Sequence, residues 1–424
     1  MTILQHKMIP LAVAFLVAAS LLPVQAGVFP QCPTRAPAPE PNPNPIVFSS
    51  WFDDVNGDGM LRASDGEIVN PVSANQVCVH LTAGDGFTNM ADGREQYIFG
   101  FANATGFNAP AMGEPWDAVM MNYMESAHFP APTLTFREGD EVYLSLTNVG
   151  MINRPDLFDP HSVHWHGFPN AAAIFDGVPD ASIIINMGST LTYYYQVVEA
   201  GTFMYHCHVE ATEHMQMGML GNLYVTPAQD GTPTGGFSRF AYNDGDGSTG
   251  YDVAYPIQIG AFDPVFHEQH IGVQPLPFAN MDDKYPMFNG RGYPDTVNTG
   301  ALDPALHPRP GAAPMPTLIA ATPGQRILLR VSSLSTTSFH TLTVLGIPMQ
   351  VVGKGSRKLG LTNDISQYYT TNAITLGGGQ AMDVILDTAG VPAGTYFLYT
   401  TNLDHLANEA EDYGGMMTEI RIQP

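Results

Sequence analysis

Two short stretches of this 424-residue chain concentrate the side chains able to bind a transition metal. His161-Ser162-Val163-His164-Trp165-His166 and His206-Cys207-His208, the latter continuing to His214, hold six of the 14 histidines and one of the three cysteines. Side chains on an extended strand alternate between its two faces. His164 and His166 therefore share one face, with His161 on the other; His206 and His208 share a face, and Cys207 points away. If the two strands are neighbours, one side presents His161 and Cys207 and the opposite side presents four imidazoles. Two metal sites would then lie back to back, joined through the backbone of His206-Cys207-His208, which is a route for electrons.

The thiolate side needs further ligands, and the following loop offers them. His214 lies seven residues after Cys207, and Met219 five after His214. Two imidazoles, a thiolate and a weak thioether make the blue-copper set, which favours electron transfer. Met217 is a possible substitute for Met219, which is preferred because it follows Gly218. Zinc accepts Cys and His but has no use for the methionine or for the second histidine cluster.

The elements that must hold these residues read as strands. Short runs rich in Val, Ile, Thr and Tyr, among them 76–81, 141–147, 191–197 and 326–331, are broken by Gly, Pro and Asn. Such runs predict an all-β sandwich. The pattern also repeats. Pro132-Thr133-Leu134, Glu138-Gly139-Asp140 and the run 142–147 are echoed by Pro316-Thr317-Leu318, Pro323-Gly324-Gln325 and the run 327–331. A Gly-Thr-aromatic strand follows each, at Gly201 and at Gly394. Two copies of one sandwich are expected, over 46–228 and 251–424, joined by a Gly-, Asp- and Ser-rich connection at 229–250.

Residues 1–26 read as a signal peptide, with Lys7, an apolar stretch from Leu11 to Leu22 and a small-residue cleavage site at Val24-Gln25-Ala26. Residues 27–45 form a proline-rich linker. The apolar stretch is too short to span a membrane, so a periplasmic or secreted chain without a membrane span is expected. An exported protein tolerates disulfides, and Cys32 and Cys78 are expected to pair. Forty acidic against 16 basic residues give a formal net charge of −24, which repels phosphate backbones and argues against nucleic-acid binding.

His161-x-x-His164-x-His166-Gly167 and His206-Cys207-His208, ending in His214 and Met219, resemble multicopper oxidases and copper nitrite reductases. The resemblance implies two cupredoxin-like Greek-key β-sandwich domains. It implies type 1 copper on His161, Cys207, His214 and Met219, type 2 copper on His164, and a type 3 pair on His166, His206 and His208. Asp176, after the His-Trp-His-Gly segment, and Glu210, two residues past His208, match the proton-relay acids of the oxidases.

The second half departs from that pattern. A full oxidase cluster takes two His-x-His pairs from the second domain, whereas Ser338-Phe339-His340 and Asp404-His405 each carry one histidine. These two segments resemble copper nitrite reductases, in which the first gives a catalytic histidine and the second a type 2 ligand to a neighbouring subunit. The resemblance to two-domain members of the superfamily implies a homotrimer.

Three functions follow as expectations. The first is a laccase-like or metal-oxidising multicopper oxidase that takes electrons from a small-molecule or metal-ion reductant and reduces dioxygen to water. The second is a nitrite reductase with type 1 and type 2 copper. The third is a non-catalytic copper electron-transfer or copper-handling protein. Weaker signals are a calcium-loop pattern at Asp54, Asn56, Asp58 and Asp65, a pair at His267 and His270 able to complete a metal site, and methionines (Met120, Met121, Met124, Met215, Met217) suited to Cu(I).

Overall fold

The computed structural model describes residues 60–61, 75–105, 122–300, 302, 315–360 and 366–424. Residues 1–45, including Cys32, lie outside these, as do Asp54, Asn56, Asp58, Asp65, Met120 and Met121. Among the described cysteines, Cys78 is disulfide-bonded and Cys207 is a buried free thiol.

The first sandwich is built from β1 (Met60–Leu61), β2 (Gln76–Asn89), β3 (Glu95–Asn103), β4 (Ala131–Arg137), β5 (Glu141–Gly150), β6 (His164–His166), β7 (Thr190–Gln196), β8 (Gly201–His206) and β9 (Leu220–Thr226). One sheet runs β1-β4-β9-β8-β6 and the other β3-β2-β5-β7. The period-two pattern does the folding: Val142, Leu144 and Leu146 of β5 face inward, as do Tyr193 and Tyr195 of β7 and Leu134 and Phe136 of β4. Trp165 of β6 joins the two sheets, its ring stacked on Tyr195 with centroids 3.7 Å apart. Truncating so large a core ring costs roughly 3–5 kcal/mol.

The second sandwich uses β10 (Val253–Phe262), β11 (Tyr285–Phe288), β12 (Ile319–Ala321), β13 (Arg326–Ser333), β14 (His340–Val344), β15 (Met349–Lys354), β16 (Arg357–Lys358), β17 (Tyr369–Thr371), β18 (Ala373–Leu376), β19 (Gln380–Asp387), β20 (Gly394–Thr400) and β21 (Met417–Ile422). Its sheets run β11-β10-β13-β19-β15-β16, with β17 also on β15, and β12-β21-β20-β14-β18. The sequence repeat is a structural one. β5 pairs in parallel with β2, as β13 does with β10; β4 pairs in parallel with β9, as β12 does with β21. Chain exchange between facing sheets is the Greek-key arrangement of a β-sandwich, and the described chain is mostly strand, in two such sandwiches.

The two halves pack on each other. Phe203 and Tyr205 of β8 enter the first core, while Met204, between them, joins Phe129 and Leu220 against Phe262, Tyr285 and Leu334 of the second half. A buried polar lock crosses the same contact. Asp383 accepts hydrogen bonds from Thr202 Oγ1 at 2.5 Å and from Tyr242 Oη, with Arg330 Nη1 3.6 Å away; a charge this buried persists because it is paired. The connecting segment is itself packed, with Phe240, Ala241 and Tyr242 buried.

Two short helices matter to the site. α1 (Ala211–Gln216) follows Glu210, a non-glycine residue at φ 45°. α2 (Pro264–Ile271) starts at Asp263, whose carboxylate accepts from Val265 N at 2.8 Å, with Pro264 in the first turn, a sequence-encoded helix start.

Candidate metal centres

β6 and β8 are neighbours, in the register His164↔His206, Trp165↔Tyr205 and His166↔Met204. Trp165 and Tyr205 enter the core, so His164, His166 and His206 share the opposite face. Cys207, one residue beyond β8, turns inward with Phe203 and Tyr205. Strand alternation thus separates two groups that are adjacent in sequence.

On the inner side Cys207 Sγ lies 3.2 Å from His214 Nδ1 and 3.9 Å from His161 Nδ1. Ser162 N–H donates to the same sulfur at 3.4 Å. Burial pushes the thiol pKa up, but His214 and His161 outweigh it and bring Cys207 down to about 5, so the sulfur is a thiolate ready for a metal. Met219 is buried; its carbonyl accepts from Cys207 N–H at 3.1 Å, and its own N–H donates to His214 O at 2.8 Å. Met217 is also buried, its carbonyl taken by Phe99 N–H at 2.9 Å. A soft sulfur with two Nδ1 atoms aimed at it fits copper by donor chemistry.

Asp159 is a site residue that the sequence reading missed. Its Oδ2 lies 3.2 Å from His214 Nε2. Burial raises its pKa, yet His214 and His161 more than compensate and hold it below the ordinary carboxylate value. Its only signal was an acid two positions before His161, which is common in turns.

On the outer side His164, His166 and His206 each offer a ring nitrogen, all within 4.8 Å of one another. His208 stands beside them, its ring centroid 5.2 Å from that of His164. Hydrogen bonds orient two of the rings. His164 Nδ1–H donates to Asp176 O at 2.6 Å and His206 Nδ1–H to Cys207 O at 2.8 Å, which turns each Nε2 toward the cluster. His166 Nδ1 lies 3.2 Å from His206 Nε2. Burial lowers the pKa of His164 and His166 and takes His206 to about 3, so these imidazoles are neutral, as ligands must be. Gly177, at φ +78°, permits the turn: a Cβ there would sit 2.1 Å from Val163 O.

The expected relay acids separate. Asp176 Oδ1 lies 3.5 Å from His164 Nδ1, at the histidine cluster. The Glu210 carboxylate instead groups with Asp159 and His214, on the thiolate side. Strand alternation would have kept Glu210 on the face of His208; it leaves that face because β8 has ended and the chain turns into α1.

His340 and His405, distant in sequence, come together with ring centroids 5.2 Å apart. Burial takes His340 down to about 4. Among the described residues, their nitrogens do not join either metal-competent group of the same chain. His267 and His270 are engaged elsewhere: the His267 nitrogens face Tyr97 O and Gln216 O, and His270 contacts Glu213 and Arg154. Met124 packs near Val149 and Met215 against the contact between the two halves.

Paired Greek-key sandwiches with a buried Cys207, His161 and His214 group just beyond the end of one strand define a cupredoxin-type protein. The family description "Multicopper oxidase" matches residues 115–230 and again residues 272–418, and the chain belongs to the multicopper oxidase family, which implies copper. It is 25% identical over 279 residues to L-ascorbate oxidase of Cucurbita maxima, covering 64% of this chain and 43% of that protein. It is 33% identical over 130 residues to Laccase-1 of Emericella nidulans, covering 29% of this chain and 19% of that one. The chain thus spans less than half the length of these relatives. Its fold is similar to blue copper oxidase from Nitrosomonas europaea, with a TM-score of 0.60 and 22% identity over 82% of this chain and 86% of that one.

Proposed function

We propose that this chain is an exported, laccase-like multicopper oxidase that takes single electrons from a small-molecule or metal-ion reductant and reduces dioxygen to water. The observation that carries the reading is the back-to-back arrangement of two donor groups around His206-Cys207-His208. His161, Cys207, His214 and Met219 would hold type 1 copper. His164, His166, His206 and His208 would hold type 2 and type 3 copper on the other face. Copper, when bound, supplies one-electron redox chemistry and the multi-electron reduction of dioxygen.

The chain's own residues do the rest. Cys207 and its flanking histidines give a covalent link between the two sites. Buried walls around Cys207 exclude water and keep the thiolate from side reactions. Asp176, beside His164, is placed to hold and pass protons, which dioxygen reduction consumes. Glu210, on the thiolate side, has no such position and drops out of the relay. His340 and His405 would complete the histidine-rich site of a second copy, with His405 as a ligand and His340 handling protons. That assembly would be a head-to-tail homotrimer, as the resemblance to two-domain members of the superfamily implies, the contacts closing into a ring rather than an open filament. Exposed Phe339 and Leu403 flank the pair, and exposed Ile174 and Ile183 stand near Asp176, which supports contacts between copies.

The single histidines of the second half favour one further reading, a nitrite reductase with type 1 and type 2 copper. Copper stoichiometry decides. Four coppers per chain, a near-ultraviolet band from a coupled pair and oxygen uptake are expected for the oxidase. Two coppers with nitrite turnover would replace it by the reductase, and one blue copper without turnover by an electron carrier.

A further inference from the structure

The second sandwich lays α2 onto the segment that carries His214. Residues three apart share a helix face, and His267 and His270 point together into the first half. His270 Nε2–H donates to Glu213 Oε1 at 2.6 Å. With the proton on Nε2, Nδ1 is an acceptor facing the Arg154 guanidinium 3.4 Å away. His267 is buried and neutral, its pKa pulled down to about 4 by burial. Its ring is wedged between two carbonyls, with Nε2 2.9 Å from Gln216 O and Nδ1 against Tyr97 O, and the neutral ring donates its one N–H to one of them. Glu213 and Gln216 both belong to α1 and bracket His214. The Phe99 ring fills the space between, meeting His214 at 5.6 Å and His270 at 4.6 Å, edge to face.

α1 has little support of its own. It is six residues long with no side-chain N-cap, and isolated helices of that length are unstable in water.

We propose that His270 and His267 are positioning residues for the type 1 centre: the second sandwich, acting through Glu213 and Gln216, holds α1 so that His214 Nδ1 stays aimed at Cys207 Sγ. The inference rests on reading His161, Cys207, His214 and Met219 as the copper ligands. It makes the electron-accepting site a product of both halves, although all four of its ligands come from the first.

The test uses the full chain with His270→Ala, His270→Gln and Thr202→Val, the last breaking the same contact far from the helix. Amide exchange over 211–216 is measured without metal, and the blue absorption band and reduction potential after copper loading. His270→Ala is expected to speed exchange about tenfold or more, the scale of a lost hydrogen bond to a charged group, and to shift the band and the potential. His270→Gln, which can still donate to Glu213, should restore both, and Thr202→Val should leave both at wild-type values. Wild-type exchange and an unshifted band in His270→Ala would overturn the inference, as would equal changes in Thr202→Val. A wild-type chain that shows no blue band, but whose variants give the exchange pattern above, supports the clamp on α1 and removes the copper reading instead.

Discussion

His340 and His405 hold their rings 5.2 Å apart, and His340 Nδ1, His340 Nε2 and His405 Nδ1 are buried without a hydrogen-bond partner. Leaving such groups unpaired costs free energy that a ligand would recover. His405→Ala should therefore lower copper content, and both His405→Ala and His340→Ala should slow oxygen uptake by at least the roughly 10- to 100-fold typical of losing even an outer-shell partner. The blue band should persist in both. Full copper content and wild-type uptake in both variants would show that the pair serves neither metal nor catalysis.

Cys207→Ser removes the only described thiolate from the inner group. The blue absorption should vanish, while circular dichroism and the thermal transition keep their β-sandwich character. A blue protein lacking Cys207 would mean that another sulfur carries the colour.

His164→Ala tests the outer cluster separately. The blue band should survive, because His164 lies on the opposite strand face, and oxygen uptake should be lost. Equal uptake by variant and wild type would sink the oxidase mechanism.

Asp176→Asn isolates proton handling. His164 is oriented by the backbone carbonyl of Asp176, which the substitution keeps, so only the carboxylate disappears. Copper content should hold while turnover falls by roughly a hundredfold or more, the range for a positioned acid or base. An unchanged rate between pH 5 and 8 would remove Asp176 from the mechanism.

Acid sensitivity of the metal-free chain should trace in part to His80. Its Nε2 lies 2.8 Å from Thr147 Oγ1, and burial lowers its pKa from 6.5 to about 4. Between those values the unfolded chain binds more protons than the folded one. The stability is fully present above pH 6.5 and is lost as pH falls toward 4, by on the order of 3 kcal/mol. Urea titrations at pH 7 and pH 4 should show a smaller loss in His80→Gln, and equal losses would assign the effect elsewhere.

Much of this was legible in the order of residues. Cys207 and His206 fall on opposite faces because strand side chains alternate, and that rule needs no coordinates. The repeat between 132–147 and 316–331 likewise announced two sandwiches, since one folding unit reuses one pattern of inward side chains.

Tertiary structure alone decided the rest. His340 and His405 meet only because their segments, β14 and the turn after β20, are brought together by the sheet that pairs β14 with β20. Asp159 reaches His214 Nε2, and Glu210 leaves the outer cluster for the inner one, because the chain reverses into α1 after His208. The sequence by itself determined which residues could bind metal and on which face of a strand they stand, because these follow from local periodicity. Which acid serves which site, and which half steadies the thiolate's histidine partner, depend on contacts between segments far apart in the chain, which no local period encodes.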